Sequence, residues 1–204
     1  MIAIIDYGIG NLFSLQCSFK KIGADARVTS SRAEIENAEK ILLPGVGAFK
    51  DAAEKLRACG LDEVLKAQVK SGKYVMGICL GMQLLFEKSY EYGEHAGLGL
   101  LKGSVAPIRG YVANELKVPH IGWNALRIEK PHFLLSNVKA GDCAYFVHSY
   151  HAVECAESVI ATTEYDKSLT AAVAKDNVLG CQFHPEKSGD VGLNILRAFY
   201  EKKD

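Results

Sequence analysis

What the sequence lacks narrows the field before any motif is read. No charge sign dominates: 24 Lys and Arg stand against 24 Asp and Glu, a formal net charge of zero. Nucleic-acid binders and polybasic membrane modules need an excess of Lys and Arg, so neither is expected, although a local basic patch fits the balance. No long hydrophobic run is present. The longest charge-free apolar stretch, Tyr74 to Phe86, is too short to span a bilayer and is broken by Gly77, Gly81 and Gln83. Met1-Ile2-Ala3-Ile4-Ile5-Asp6 has no cationic lead and too short an apolar segment for a signal peptide. The six cysteines, at 17, 59, 79, 143, 155 and 181, contain no C-x-x-C pair, which argues against a zinc cage or a thioredoxin-type motif. A cytoplasmic location with reduced thiols is the expectation, and most of the cysteines read as buried small hydrophobes. There is no internal repeat and no Pro- or Ser-rich linker, so residues 1–204 are expected to form one domain.

What is present suits a globular chain. Apolar residues make up 49% and charged residues 24%, and a chain of this length buries roughly 70% of its unfolded surface. The first half alternates short apolar runs with helical periodicity. Ile2–Ile5 reads as a buried strand, and Ala26–Thr29, Ile41–Leu43 and Tyr74–Ile78 as further strands. Asn11 is expected to cap a helix carrying Leu12, Leu15, Phe19 and Ile22, stopped by Gly23. Lys50–Cys59, Asp62–Lys70 and Leu80 to about Phe86 read as further helices. The second half holds strand candidates at Val105–Ile108, Ala125–Ile128, Ala144–Val147, Val159–Thr163, Ala171–Ala174 and Val178–Phe183. Lys175-Asp176-Asn177 reads as a hairpin turn, and Asp190 as the cap of a last helix presenting Ile195, Leu196 and Phe199. The pattern predicts an α/β fold with a mostly parallel central sheet and an antiparallel extension.

Two segments carry chemistry. Gly77-Ile78-Cys79-Leu80-Gly81 sets a cysteine between glycines where a strand feeds a helix, the spacing of a nucleophile elbow. An unpaired helix N-terminus favours a thiolate. An ordinary thiol is only about 3% ionised at pH 7, so a base or a favourable environment is needed. The alternative is a buried cysteine beside two turn glycines. Far downstream, Cys181-Gln182-Phe183-His184-Pro185-Glu186-Lys187 supplies a base candidate. Pro185 keeps His184 extended, and residues i and i+2 of an extended segment face the same way, so Glu186 can reach one nitrogen of His184. The alternative there is a surface turn. His-x-Glu also opens the zinc deaminase signature, but no cysteine follows Cys181, and that reading fails. Acyl chemistry on a cysteine needs oxyanion donors; the Leu80 N–H is one, and Pro44-Gly45-Val46-Gly47 is a second candidate or a plain strand-to-helix turn. Gly8-Ile9-Gly10-Asn11 lacks the third glycine of a dinucleotide fingerprint, which is Phe13 here.

Taken together, PGVGAF (44–49), GICLGMQ (77–83) and QFHPEKS (182–188) resemble the triad-type, or class I, glutamine amidotransferases across nearly the whole chain. The resemblance implies a flavodoxin-like three-layer α/β fold and release of ammonia from L-glutamine through a glutamyl-thioester, with no cofactor and no metal. It implies Cys79 as nucleophile, His184 as base and then acid, and Glu186 as its orienting partner. Leu80 and the Val46–Gly47 peptide would form the oxyanion hole, the latter after a rearrangement tied to a partner's ligand state. Gly47, Gln83, His148, Ser149 and Tyr150 would hold glutamine. DYGIGN (6–11), PHIGWN (119–124), YFVHSYH (145–151) and the lysine of HPEKS narrow the resemblance to members paired with a (β/α)8-barrel cyclase that consumes the ammonia. Asn11, Trp123 and Lys187 would then face that partner. The glutaminase of another synthase, such as the anthranilate or pyridoxal-phosphate systems, and a triad-fold module without turnover are the alternatives.

Overall fold

The computed structural model describes residues 1–203. In chain order the elements are β1 (Ile2–Ile5), α1 (Leu12–Lys21), β2 (Ala26–Thr29), α2 (Arg32–Asn37), β3 (Lys40–Leu43), α3 (Phe49–Ala58), α4 (Leu61–Lys70), β4 (Tyr74–Ile78), α5 (Leu80–Leu84), β5 (Phe86–Ser89), β6 (His95–Ala96) and β7 (Leu101–Pro107). There follow β8 (His120–Ile128), β9 (Cys143–His148), β10 (Tyr150–Val153), β11 (Val159–Tyr165), β12 (Lys167–Lys175), β13 (Val178–Cys181) and α6 (Gly189–Glu201).

A nine-stranded sheet runs β2-β1-β3-β4-β13-β12-β11-β8-β9. The strands β2, β1, β3, β4 and β13 are mutually parallel, and β12, β11, β8 and β9 continue the sheet antiparallel. The parallel part has the flavodoxin-like order expected of the family. Apart from the edge strand β2, whose Arg27 is exposed, its strands read as apolar runs because both faces are covered. Ile2 and Ile4 join a core with Leu15, Phe19, Ile195 and Phe199 on one face. Ala3 and Ile5 join Phe49, Leu56, Val64 and Leu65 on the other. A second, four-stranded sheet, β10-β7-β5-β6, packs on that second face, where Leu101, Val105 and Ala152 enter the core.

Several expectations need correction. The helix opened by Leu80 stops at Leu84 instead of running to Phe86, because the chain returning at Leu98 and Leu100 donates backbone N–H groups to the carbonyls of Leu84 and Leu85. Phe86 then starts β5. The final helix is entered through Ser188, not Asp190, which lies inside the first turn. Asn11 occupies the cap position of α1 but makes no side-chain capping bond. Of the cysteines other than Cys79, only Cys155 and Cys181 are buried, whereas Cys17, Cys59 and Cys143 are exposed. α2, β5, β6 and β10 were not anticipated, although Ser31-x-x-Glu34 is a capping-box signature at the entry to α2, where the Ser31 hydroxyl accepts from the Glu34 N–H. The hairpin at Asp176-Asn177 joins β12 to β13 as expected. Among the described residues no helix is long and apolar enough to cross a membrane.

Close packing fixes where α5 begins. A Cβ added at Gly81 would lie 1.8 Å from the Leu43 carbonyl oxygen at the end of β3. At Gly72 it would meet nothing within 4 Å, and only the φ of +93° favours glycine. Gly81→Ala is therefore expected to cost about 3 kcal/mol in urea unfolding through overpacking, and Gly72→Ala roughly 1 kcal/mol through backbone strain alone. Equal losses from the two would contradict this account.

Candidate functional site

The site forms where three neighbouring parallel strands end. Leu43 of β3 lies opposite Gly77 of β4, and Ile78 of β4 opposite Cys181 of β13. The chain leaves β3 into Pro44–Gly47, β4 into Cys79 and β13 into His184, so the motifs meet at one edge of the sheet. Cys79 is buried and adopts φ 54°, ψ −113°, a conformation rarely tolerated outside glycine. Its backbone N–H donates to the Cys181 carbonyl at 2.8 Å, which pins the turn. The flanking glycines are forced by space: a Cβ on Gly77 would come within 2.6 Å of the Gly81 carbonyl and Met82 Cα. Such strain, of order 1–3 kcal/mol, persists only where the surroundings over-determine it. Leu80 is the first residue of α5, so its N–H has no acceptor within the helix, and the residue borders the cleft.

His184 is 3% exposed. Its backbone N–H donates to the Tyr145 carbonyl at 2.9 Å, and its own carbonyl accepts from the Ser188 hydroxyl at 2.7 Å. Ser188 Oγ in turn accepts from the Tyr145 N–H at 2.9 Å. This occupies the Ser188 hydroxyl with the His184 loop, which is why it does not cap α6. The Nδ1 of His184 lies 2.8 Å from Glu186 Oε1, with the Glu186 side chain 1% exposed. Burial disfavours the imidazolium, yet hydrogen bonding to Cys79 and Glu186 and their negative charge outweigh it and raise His184 to about 10. With Nδ1 committed to Glu186, Nε2 is left for the sulfur. The second carboxylate oxygen of Glu186 is buried without a partner.

A cleft of about 270 Å³ opens onto this pair, lined by Val46, Gly47, Leu80, Gln83, His148, Ser149 and Tyr150 among others. Every residue expected to build the oxyanion hole or to hold glutamine therefore borders the same space. Gly47 sits at φ +92° with nothing near a would-be Cβ, so glycine is required there by conformation and not by space. Gly45 is the reverse: a Cβ would lie 2.8 Å from the Gly81 N and 2.9 Å from the Tyr7 hydroxyl, which itself donates to the Pro44 carbonyl at 2.8 Å. His148, Ser149 and Tyr150 reach the cleft because the chain passes from the large sheet to the small one at Ser149, between β9 and β10. Burial holds His148 down at about 3, and its Nδ1 donates to the Tyr150 carbonyl at 2.8 Å.

Glu91, Pro119 and Val147 also line the cleft and were not singled out from the sequence. Glu91 Oε2 accepts from the Phe49 N–H at 2.5 Å. No motif marks it; it arrives through the loop after β5, an element that periodicity did not reveal. Gln182, inside the QFHPEKS segment, is fully buried beside Cys79. Of the residues expected to face a partner, Trp123 is 55% exposed and Lys187 is exposed, and both meet Tyr145. The Trp123 ring stands edge-on at 6.0 Å, and the Lys187 ammonium lies 5.7 Å from the ring centre. Ile121 and Phe13 add exposed apolar surface, and Asn11 is half-buried just before α1.

A model of the family "Glutamine amidotransferase class-I" matches residues 3–203. The chain is 48% identical over 203 residues to "Imidazole glycerol phosphate synthase subunit HisH" of Syntrophotalea carbinolica, covering 98% of each. It is 49% identical over 202 residues to the protein of the same name from Caldanaerobacter subterraneus subsp. tengcongensis, again covering 98% of each. Among solved structures it superposes on a glutamine amidotransferase with a TM-score of 0.75 at 19% identity, over 97% of this chain and 98% of that one. PurLQS of Thermotoga maritima gives 0.73 at 19% identity, over 97% and 95%. These two structural likenesses concern the fold.

The His184–Glu186 pair sets a pH dependence. The folded chain holds the His184 proton more tightly than an unfolded one, so the pair's contribution to stability is complete below 6.5 and fades as pH rises towards about 10. Glu186→Gln removes the negative partner and is expected to move the His184 titration to lower pH, read from its imidazole NMR resonances. An unmoved or higher titration would contradict the pairing.

Proposed function

The chain belongs to the class I glutamine amidotransferases, and from that premise we propose that it is the glutaminase subunit of an imidazole glycerol phosphate synthase. Its reaction is hydrolysis of L-glutamine to glutamate and ammonia. The observation that carries the reading is Cys79 at a strained turn, within reach of a buried His184–Glu186 pair, on the wall of a cleft. The near-full-length likeness to HisH subunits supports the choice of synthase.

In this reading the Cys79 thiolate attacks the carboxamide carbon of glutamine, and the carbonyl oxygen takes the developing charge. Leu80 N–H and the Val46–Gly47 peptide stabilise that oxyanion. His184, protonated through its contact with Glu186, gives its proton to the leaving nitrogen, and ammonia departs as the thioester forms. Neutral His184 then takes a proton from water, hydroxide attacks the thioester, and glutamate leaves with Cys79 restored. Gln83, Gly47, His148, Ser149 and Tyr150 hold the substrate, and the free oxygen of Glu91 suits its α-ammonium group. The ammonia passes to a (β/α)8-barrel cyclase in the cytoplasm, which makes imidazole glycerol phosphate and an aminoimidazole carboxamide ribotide. The exposed Trp123 and Lys187, with half-buried Asn11, form the surface assigned to that partner.

Cys79→Ala is expected to abolish ammonia release, measured by coupled glutamate detection, while leaving the circular dichroism spectrum and cyclase binding unchanged. Continued glutamine turnover by that variant would sink the assignment. Because the oxyanion hole depends on the Val46–Gly47 peptide, the chain alone should hydrolyse glutamine roughly 10²–10³-fold more slowly than with cyclase and its nucleotide ligand. Equal rates would count against a rearranging peptide, and stimulation by a different synthase would point to another member of the family.

A further inference from the structure

The steps above leave one buried group against the nucleophile unused. Gln182, fully buried directly after β13, places its side-chain nitrogen 3.7 Å from the Cys79 sulfur. An amide can present either its nitrogen or its oxygen, and here the surroundings decide. The Tyr150 carbonyl only accepts, and Gln83 Nε2 donates to it at 3.1 Å. The same nitrogen donates to Gln182 Oε1 at 2.9 Å. The Gln182 oxygen is thereby occupied, and its nitrogen is the end left for sulfur. The Tyr150 carbonyl also accepts from His148 Nδ1 at 2.8 Å, so two donors fix its position. With its Nδ1 donating, His148 accepts at Nε2 from His120 Nδ1 at 2.9 Å. His120 is the first residue of β8. His120 has no access to solvent and stacks between Tyr165 and Phe146 at centroid distances of 4.3 and 5.1 Å.

We propose that Gln182 is a further catalytic residue, donating from its amide to the Cys79 sulfur, and that the run from Gln83 through the Tyr150 carbonyl and His148 to His120 positions that donor. The proposal rests on the reading of Cys79 as the nucleophile. The donor acts in the two states where sulfur bears charge: the resting thiolate, and the thiolate released when water cleaves the thioester. A charged acceptor strengthens the bond. The run also gives β8, whose outer residues form the proposed partner surface, a direct hydrogen-bonded route to the reacting sulfur.

The test measures kcat and KM for glutamine in the presence of cyclase and its nucleotide ligand, with covalent labelling of Cys79 by a diazo-ketone analogue of glutamine as a second readout. Gln182→Met keeps the length of the side chain and removes the donor. It is expected to lower kcat by about 10- to 100-fold with KM nearly unchanged, and to slow labelling in parallel. His120→Phe, which keeps the ring stacked between Tyr165 and Phe146 and removes the donor to His148, is expected to lower kcat by a smaller factor. In the double variant the two losses should fall short of their product, because both act through one run of bonds. An unchanged kcat in folded Gln182→Met overturns the proposal, and multiplicative losses overturn the relay. If Gln182→Met does not fold by circular dichroism, Gln182→Glu takes its place. That change keeps the shape and the acceptor for Gln83 but exchanges the amide donor for a carboxylate, with the same expected loss and the same overturning result. A wild-type chain that neither hydrolyses glutamine nor is labelled at Cys79 overturns the glutaminase reading itself.

Discussion

The site depends on one backbone pairing, that of β4 with β13. These strands are distant in sequence, yet they lie parallel with Ile78 opposite Cys181, and the Cys79 N–H is tied to the Cys181 carbonyl. That register sets the thiol one residue beyond one strand and the imidazole three residues beyond its neighbour. Shifting a strand by one residue would turn each side chain to the opposite face. The pairing also explains why β13 can sit in the middle of the sheet: it is parallel to β4 on one side and antiparallel to β12 on the other. The hairpin at Asp176-Asn177 delivers it there, so the antiparallel extension sets the position of the base.

Around that pairing the backbone is packed more closely than side chains allow. Gly45, Gly77 and Gly81 come from two different strand ends, yet each would drive a Cβ into another's backbone or its immediate neighbours. α5 is thus drawn against the end of β3, which brings Leu80 and the Val46–Gly47 peptide to the same cleft. Cys79, between Gly77 and Gly81, holds a positive φ in this crowded turn. Strain of this kind is paid for by the two apolar cores that clamp the sheet from either face.

Much of this was legible in the sequence, and the limits have physical causes. Parallel strands buried on both faces show as continuous apolar runs, and the elbow and the His-Pro-Glu segment announce themselves through glycine spacing and proline geometry. Adjacency of β4 and β13 was not legible, because pairing across a hundred residues leaves no local pattern. The early end of α5 was hidden for a similar reason: the carbonyls of Leu84 and Leu85 are claimed by residues that return from Leu98 onward. Of the small sheet only β7 was legible, because β5, β6 and β10 are four, two and four residues long. Glu91 enters the cleft on such a loop. Gln182 was in view within a recognised segment, but nothing in its sequence context says which end of its amide faces sulfur.

Two buried histidines at the edge of one cleft show how partners, more than burial, assign chemistry. Desolvation pushes both His148 and His184 towards the neutral form. His148 finds a carbonyl and a second imidazole, neither of which offsets the loss of hydration, and it stays low. His184 finds a carboxylate and a thiol, whose negative charge reverses the outcome and keeps the ring protonated. The neutral ring is thereby suited to holding backbone in place and the charged ring to delivering a proton.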